Sequence, residues 1–313
     1  MNIALFNYHT KDFFMATPSS QAAITKATFI GVIAPLLWST YPTLTYLIGE
    51  MPPFQLLTIG FAVSFITSLF IWKFKKTPLK KMFNQPLKYW FIGILGILGF
   101  NSFYILSLYF APRAEAFLLT SIWPFIALIM SAIFLKEKLH KHHIIGCIMG
   151  VIGIYFIAVN KGVELEGGTH IYGYIAAIIA AFIWAIYSLV LRANPLPQAE
   201  FIGTICGATA IGALILHTSL ESWVPVTQDQ YLPLILIGVG SMGLSYYCWN
   251  YGVQHGDLRS LNNLVYLGHF TTISLLMAVG QAKLTFTLVS AFVFIIGGAL
   301  IGSSSLFSKH KKQ

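Results

Sequence analysis

Long apolar blocks recur along this chain of 313 residues, joined by short polar connections. Ten of them lie at about 27–48, 54–72, 89–110, 114–135, 143–159, 171–191, 201–218, 232–253, 258–280 and 285–307. A helix that crosses a bilayer needs roughly 20 mainly apolar residues, and these blocks match that length. They are apolar all round and about twice as long as the roughly 9–11-residue, alternating strands of a membrane barrel. The pattern predicts an all-α integral membrane protein with ten transmembrane helices. The longest connection, about 73–88, is rich in lysine, so no soluble domain is expected between the blocks. Residues 1–26 are polar and mixed, and their one apolar run, Ile3 to Phe6, is too short for a signal-peptide core. They are expected to form an N-terminal tail.

Shifting the chain by about 144–146 residues aligns it with itself. Trp38-Ser39-Thr40-Tyr41 then faces Trp184-Ala185-Ile186-Tyr187. Gly96 and Gly99 face Gly240 and Gly243, and the turn with Arg113 and Glu115 faces the turn with Asp257 and Arg259. Lys138-Leu139 faces Lys283-Leu284, and Gly153 faces Gly298. These matches run in order and predict two five-helix repeats, 27–160 and 161–307, followed by a basic tail at 308–313. Five crossings is an odd number, so the second repeat enters the membrane from the opposite side. Inverted repeats of this kind are common in secondary transporters, with the substrate between the halves near the midplane.

Composition agrees with the pattern. The chain is 57% hydrophobic and 9% charged, against about 25% charged residues in soluble domains. A net charge of +9 would by itself point to nucleic acid, but its distribution excludes that partner. Sixteen of the 19 Lys and Arg residues fall in the tails and in the connections after even-numbered blocks. The other side holds only Arg113, Lys161 and Lys283. The positive-inside rule then predicts that both termini are cytoplasmic.

Several residue types inside the blocks carry candidate chemistry. Gly146 and Gly150, and Gly298 and Gly302, form small-xxx-small pairs that let helices approach closely in lipid. Pro35, Pro42 and Pro124 each remove a backbone donor and are expected to bend their helices, through packing or to open a cavity. Trp72, Trp90 and Trp223 sit at block ends, where an interfacial belt is expected. Trp38, Trp123 and Trp184 lie deep instead, and an indole N–H facing lipid would lack a partner. Tyr41 and Tyr187 follow Trp38 and Trp184 by three residues and share their faces, and Tyr104 is comparably deep. Two readings stand: aromatic packing between helices, or an aromatic-lined cavity.

A second cluster holds Tyr246, Trp249 and Asn250, with Trp249 placed nearer the cytoplasmic face. Asn262, Tyr266 and His269 follow at i, i+4 and i+7 and are expected to share a face. His269 is the ionisable side chain well inside a block, and intramembrane ionisable residues are functional candidates. A neutral histidine bonded to a neighbouring helix is the plainer alternative. No Asp or Glu lies deep in any block, and no Walker A, HExxH or GxSxG context occurs. Cys147, Cys206 and Cys248 lie within blocks without metal-ligand spacing. No catalytic residue, metal or cofactor is expected.

The run APRAEAFLLTSIWPFIALIMSAIFLKEKLHKHHIIGCIMGVIGIYFI at 111–157, with Pro124, Glu137 and a glycine-rich last helix, resembles the closing part of a known unit. The chain is identified as a member of the drug/metabolite transporter superfamily, in its EamA-type branch, whose ten helices come from a duplicated five-helix unit. LLWST (36–40), SIWP (121–124), AFIWAIYS (181–188) and GLSYYCWNYGVQHGD (243–257) look most like bacterial aromatic amino-acid exporters. The resemblance implies a multi-pass protein of the bacterial cytoplasmic (inner) membrane that moves Phe, Tyr, Trp and similar compounds through a central cavity. It implies Trp38, Trp123, Trp184, Tyr187, Trp249 and Asn250 as cavity residues. One departure stands out: where the second unit's counterpart of Pro124 is expected to be proline, this chain has His269.

The leading expectation is therefore an exporter or facilitator of aromatic amino acids that works by alternating access. Trp38, Tyr41, Tyr104, Trp123, Trp184, Tyr187, Tyr246, Trp249, Asn250, Tyr266 and His269 are the candidate binding residues. The same fold could carry another amino acid, a nucleobase, a vitamin or a drug. An intramembrane enzyme would need a constellation of His and acids that the blocks lack. Nothing in the sequence requires an oligomer, and a monomer is compatible with this reading.

Overall fold

The computed structural model of the chain describes residues 20–111, 113–160, 168, 170–196, 200–281 and 283–304. Residues 1–19, Lys161 and the basic tail lie outside the described residues, as do the side chains of Arg113 and Glu115.

Among the described residues the fold is all helical. Ser20 caps α1 (Gln21–Trp38), accepting from the Ala23 N–H at 3.3 Å. After a turn at Ser39 and Thr40, α2 (Tyr41–Ile48) continues, with Pro42 in its first turn. Then come α3 (Pro53–Phe74) and a short α4 (Leu79–Phe83) inside the lysine-rich connection. α5 (Leu87–Ile94) runs through a π-helical segment, Leu95–Gly99, into α6 (Phe100–Phe110). α7 (Arg113–Thr120) and α8 (Trp123–Phe134) are separated by a turn immediately ahead of Pro124, whose missing N–H cannot bond the carbonyl four residues back. α9 (Lys141–Asn160), α10 (His170–Ala193) and α11 (Phe201–Leu220) follow. A 3₁₀ turn, Gln228–Gln230, leads into α12 (Tyr231–Leu236), a second π-helical segment at Ile237–Leu244, and α13 (Ser245–His255). α14 (Leu258–Leu264), α15 (Tyr266–Ala278) and α16 (Phe286–Gly302) close the chain. Pro35 lies inside α1 without breaking it.

Among the described residues, six helical stretches are long and apolar enough to cross a membrane: Gln21–Ile48, Pro53–Phe74, Leu87–Phe110, His170–Ala193, Phe201–Leu220 and Gln228–His255. Trp123–Phe134, Lys141–Phe156 and Phe286–Gly302 are shorter apolar helices. The sequence pattern predicts uninterrupted blocks, whereas the first, third, fourth, eighth and ninth are each interrupted. Proline and glycine supply the interruptions at several of these points.

The burial pattern departs from that of a soluble protein at both surface and interior. Gln55, Ser64, Ser68, Thr209, Asn262 and Asn263 are fully buried, while Phe74 is 83% and Phe286 87% exposed. Apolar rings outside and polar side chains inside suit a hydrocarbon solvent.

Helix pairing organises the interior. α3 packs along α11, α9 along α16, α1 along α13, and α6 along α10. The α9–α16 pair rests on glycine. A Cβ at Gly146 would stand 2.5 Å from the Gly302 Cα and 2.7 Å from the Gly298 carbonyl oxygen. Gly146→Val should therefore force these helices apart. A loss of about 1–3 kcal/mol is expected, as for other overpacked sites, and thermal unfolding in detergent would measure it. An unchanged melting temperature would mean that the pair can shift freely.

The α3–α11 pair is laced at both ends. Pro52 cannot cap α3 through a side chain, so the Glu221 carboxylate accepts from the Phe54 and Gln55 N–H groups at 3.1–3.2 Å. At the other end the Trp72 indole donates to the Glu200 carbonyl at 3.1 Å, and Lys75 pairs with the Glu200 carboxylate at 2.8 Å. Trp72 is thus buried between helices, not exposed to an interface as its position at a block end predicts. A hydrogen-bond acceptor on the neighbouring chain segment outweighs the interfacial preference.

Candidate functional site

A cavity of about 210 Å³ lies among α1, α2, α6, α7, α8, α10, α13 and α15. Its walls come from helix interruptions as much as from helices. Trp38 and Ser39 stand at the α1–α2 turn, with Tyr41 and Pro42 beyond it. Thr120, Ser121 and Trp123 flank the α7–α8 turn, and Val265, Gly268 and His269 flank the α14–α15 turn. Phe100, Asn101, Tyr104 and Leu108 supply one face of α6.

Four indoles meet at one end of the cavity. The Trp38 ring is 5.5 Å from Trp184 and 5.4 Å from Trp249, and Trp123 is 5.3 Å from Trp249 and 6.2 Å from Trp184. These are edge or tilted contacts, the arrangements that ring quadrupoles favour. Phe100 adds a tilted contact to Trp184 at 5.1 Å, and Tyr104 stacks on Phe100. Trp249 is nearer the centre than its place along the chain suggests: it is completely buried beneath the other three, with its N–H donating to Ser188 Oγ at 3.2 Å.

The sequence-derived candidates separate into two groups. Trp38, Tyr41, Tyr104, Trp123, Trp184, Tyr246 and His269 line the cavity, as do Pro35 and Pro42. Tyr187, Trp249, Asn250 and Tyr266 stand behind it. The Tyr187 hydroxyl donates to Asn250 Oδ1 at 3.0 Å, and its ring fills the space left by Gly96 in the π-helical segment. Tyr266 turns away into a separate core with Cys147 and Ile154, against Gly150. Asn262 is fully buried elsewhere, so the expected shared face of Asn262, Tyr266 and His269 does not form on the cavity. Pro124 is buried next to Trp123 in the first turn of α8.

Sequence reasoning passes over several lining residues. Asn101 donates to the Tyr246 hydroxyl at 3.2 Å and to the Ile97 carbonyl at 2.7 Å. Its amide in the middle of an apolar block is the signal that could have found it. Ser121 Oγ is 3.0 Å from His269 Nε2. Ser241, from the second π-helical segment, lines the cavity and joins its hydroxyl at 3.0 Å to that of Thr40 in the α1–α2 turn. Among the described lining residues none is Asp, Glu, Lys or Arg.

Charge gathers at one end of the bundle instead. Arg192 Nη1 donates to the carbonyls of Val253, Gln254 and Gly256, each at 3.0 Å, and Nε lies 3.7 Å from Glu137. Arg259 pairs with Asp257 at 2.9 Å and donates to the Lys138 carbonyl at 2.9 Å. Asp257 N–H donates to Thr28 Oγ1 at 2.8 Å. Burial pushes the Glu137 carboxyl above its usual range, only partly offset by Arg192 and Arg259. Burial would raise Asp257 too, but the Arg259 charge and hydrogen bonds from Arg259 and Ser260 outweigh it and hold Asp257 low. This cluster joins residues before 160 to residues after 170.

The cluster and the cavity lie on opposite sides of the indoles. Trp184 meets Phe100 and Tyr187 meets Gly96, so α6 and α10 are antiparallel. Tyr104 and Leu108 therefore extend away from Trp184 in one direction, and Arg192 lies about 12 Å away in the other, at about 1.5 Å per helical residue.

Interrupted apolar helices around an aromatic-walled cavity define a multi-pass membrane protein of the transporter class. The EamA-like transporter family matches at residues 25–159 and again at 171–304, and the chain belongs to that family. It is similar to the aromatic amino acid exporter YddG of Ancylobacter novellus, 31% identical over 278 residues, covering 88% of this chain and 96% of that one. It is also similar to the aromatic amino acid exporter YddG of Escherichia coli, 23% identical over 296 residues, with the same coverage of 88% and 96%. One solved crystal structure superposes with a TM-score of 0.85 at 30% identity, over 90% of this chain and 98% of that one.

Proposed function

We propose that this chain is a secondary carrier of small aromatic metabolites, aromatic amino acids first among them, in a bacterial cytoplasmic membrane. The carrying observation is the cavity itself: four indoles at its base, phenols on its walls and no fixed charge among its described lining residues. Stacking on Trp38, Trp123 and Trp184 binds the ring of the substrate. Asn101, Tyr104, Ser121 and His269 offer hydrogen bonds to its amino and carboxylate groups. Tyr187, Trp249 and Asn250 hold the indole base rigid from behind.

Size and charge narrow the cargo. A volume of about 210 Å³ falls below the roughly 300–1,000 Å³ of drug-sized pockets. A cavity without a carboxylate has nothing to neutralise an organic cation. Two relatives named aromatic amino acid exporters support the same cargo.

The mechanism in this reading is alternating access between two five-helix repeats, 27–160 and 161–307, of inverted topology and with cytoplasmic termini. Paired helix contacts support it. α1 packs on α13 and α10 on α6, α1 on α15 and α10 on α8, and each contact has its partner when the two repeats are exchanged. The π-helical segments at Leu95–Gly99 and Ile237–Leu244 stand at equivalent points. In this reading the Arg192–Glu137 cluster lies at the cytoplasmic end, and the cavity lies on the far side of the indoles from it.

The test is counterflow of labelled phenylalanine and tryptophan in proteoliposomes, with leucine as the control cargo. Saturable exchange that unlabelled tryptophan inhibits and leucine does not is the expected result. No exchange in a folded preparation would remove aromatic amino acids as cargo and direct the search to nucleobases, vitamins or other amino acids.

A further inference from the structure

His269 stands where its chemistry is least expected. It is half-buried in the cavity wall, and the other described lining residues include no acid or strong base. Its Nε2 meets Ser121 Oγ at 3.0 Å, joining α15 to the α7–α8 turn. Its ring lies tilted against Phe117 at 5.1 Å and against Tyr266 at 5.9 Å. Its Nδ1 is directed at the Val265 carbonyl one turn back, which favours a proton on that nitrogen, and the adjacent Thr120 Oγ1 is buried without a partner. An ionisable group on a polar cavity in the apolar zone is costly to keep unless it works.

The Ser121 bond has two forms. With a neutral ring protonated on Nδ1, Nε2 accepts from the Ser121 hydroxyl. With a proton on each nitrogen, Nε2 donates and the Ser121 oxygen must accept. Proton uptake thus reverses this bond, frees the Ser121 O–H to donate into the cavity, and adds one positive charge to a wall that otherwise has none. Both changes favour a carboxylate.

Building on the carrier reading above, we propose that His269 and Ser121 form a joint site for a proton and the substrate carboxylate, so that the two bind together and cross together. The proton comes from the aqueous side to which the cavity is open and leaves on the side where the carboxylate is released. No bond other than N–H is made or broken.

Other titratable groups stand on the elements packed around the ring. Tyr41 on α2, Tyr104 on α6 and Tyr246 on α13 share the cavity, and Tyr266 touches the ring from its own helix. Phenols, with pKa near 10, stay neutral in the relevant range. α1 carries Lys26 and α14 carries Arg259, both at the far end, and α16 carries no charged residue. α7 carries Arg113 and Glu115 in its first turn, outside the described side chains.

The experiment measures binding of labelled phenylalanine and of phenethylamine, which lacks the carboxylate, from about pH 8 to about pH 4.5, a range that includes the ordinary imidazole pKa near 6.5. Phenylalanine is expected to bind about threefold to tenfold tighter at the acid end, and phenethylamine is expected to show no such gain. His269→Gln should bind phenylalanine more weakly and with a flat pH profile. Glu137 and Asp257 remain in that variant, so a profile that persists in it would assign the proton elsewhere and overturn the proposal. A flat wild-type profile, or equal gains for both ligands, would overturn it without any variant. Failure of phenylalanine to bind at every pH would instead overturn the aromatic cargo.

Discussion

Trp38→Ala is expected to cost the carrier about tenfold to hundredfold in substrate affinity while leaving the fold largely intact. Trp38 is half-buried, lines the cavity and makes an edge contact with Trp184 and a tilted one with Trp249. An aromatic contact is worth about 0.5–1.5 kcal/mol beyond burial, and each 1.4 kcal/mol is tenfold in affinity. A substrate ring that loses Trp38, and the order Trp38 imposes on its neighbours, loses one or two such contacts. Trp249→Ala should give the opposite balance. Trp249 is completely buried, packs on three other indoles and bonds Ser188, so its removal opens a hole in the base. Truncating a buried tryptophan costs about 3–5 kcal/mol. Its main effect should appear in thermal unfolding, with a smaller effect on the affinity of whatever protein remains folded. Isothermal binding and melting of both variants would decide. Equal effects on both measures in both variants would mean that the cavity wall and its base are not distinct, and the aromatic-cavity reading would fail.

The same contrast explains what could be read in the sequence. Deep indoles announce an interior because their N–H needs a partner, and Trp38, Trp123 and Trp184 do gather at one point. Spacing alone does not say whether a ring faces space or another ring. Tyr187 shares a helix with Trp184, yet it is drawn behind the wall by the Asn250 acceptor and by the absence of a side chain at Gly96. Tyr266 is taken by Gly150 in the same way. These outcomes depend on contacts between residues about 60 to 120 positions apart, which no helical period encodes. The interruptions that shape the cavity were half legible: Pro42 and Pro124 mark two turns, but the turn at Val265 has no proline and its position rests on tertiary packing. The charged cluster was nearly invisible. Arg192 reads as one more loop cation, and only the folded chain brings it to three carbonyls and Glu137.

Arg192→Ala should open that end of the molecule. Its guanidinium closes the C-terminal turn of α13 and reaches across to Glu137. Hydrogen bonds to a charged group are worth about 1.5–3 kcal/mol. On the alternating-access reading, losing that much from one of the two forms shifts their ratio roughly tenfold or more. Spin labels at Lys138 and His255, both exposed and one before residue 160 and the other after 170, should show a longer-distance population in the variant. Arg192→Lys, with no planar fork, should lie between the two. A distribution identical to wild type in a folded variant would show that the cluster does not hold this end closed. The carboxylates respond to acid with opposite signs. Asp257 is held low by Arg259, so its contribution is present at neutral pH and is lost only as the pH falls through its depressed value. Glu137 is raised by burial, so the closed form binds its proton readily and is not weakened when that carboxyl becomes neutral. Mild acid should therefore leave the wild-type distances unchanged, and Glu137→Gln should be nearly silent. Opening at mildly acidic pH would mean that the charged form of Glu137, Arg192's contact with the other repeat, carries the closure.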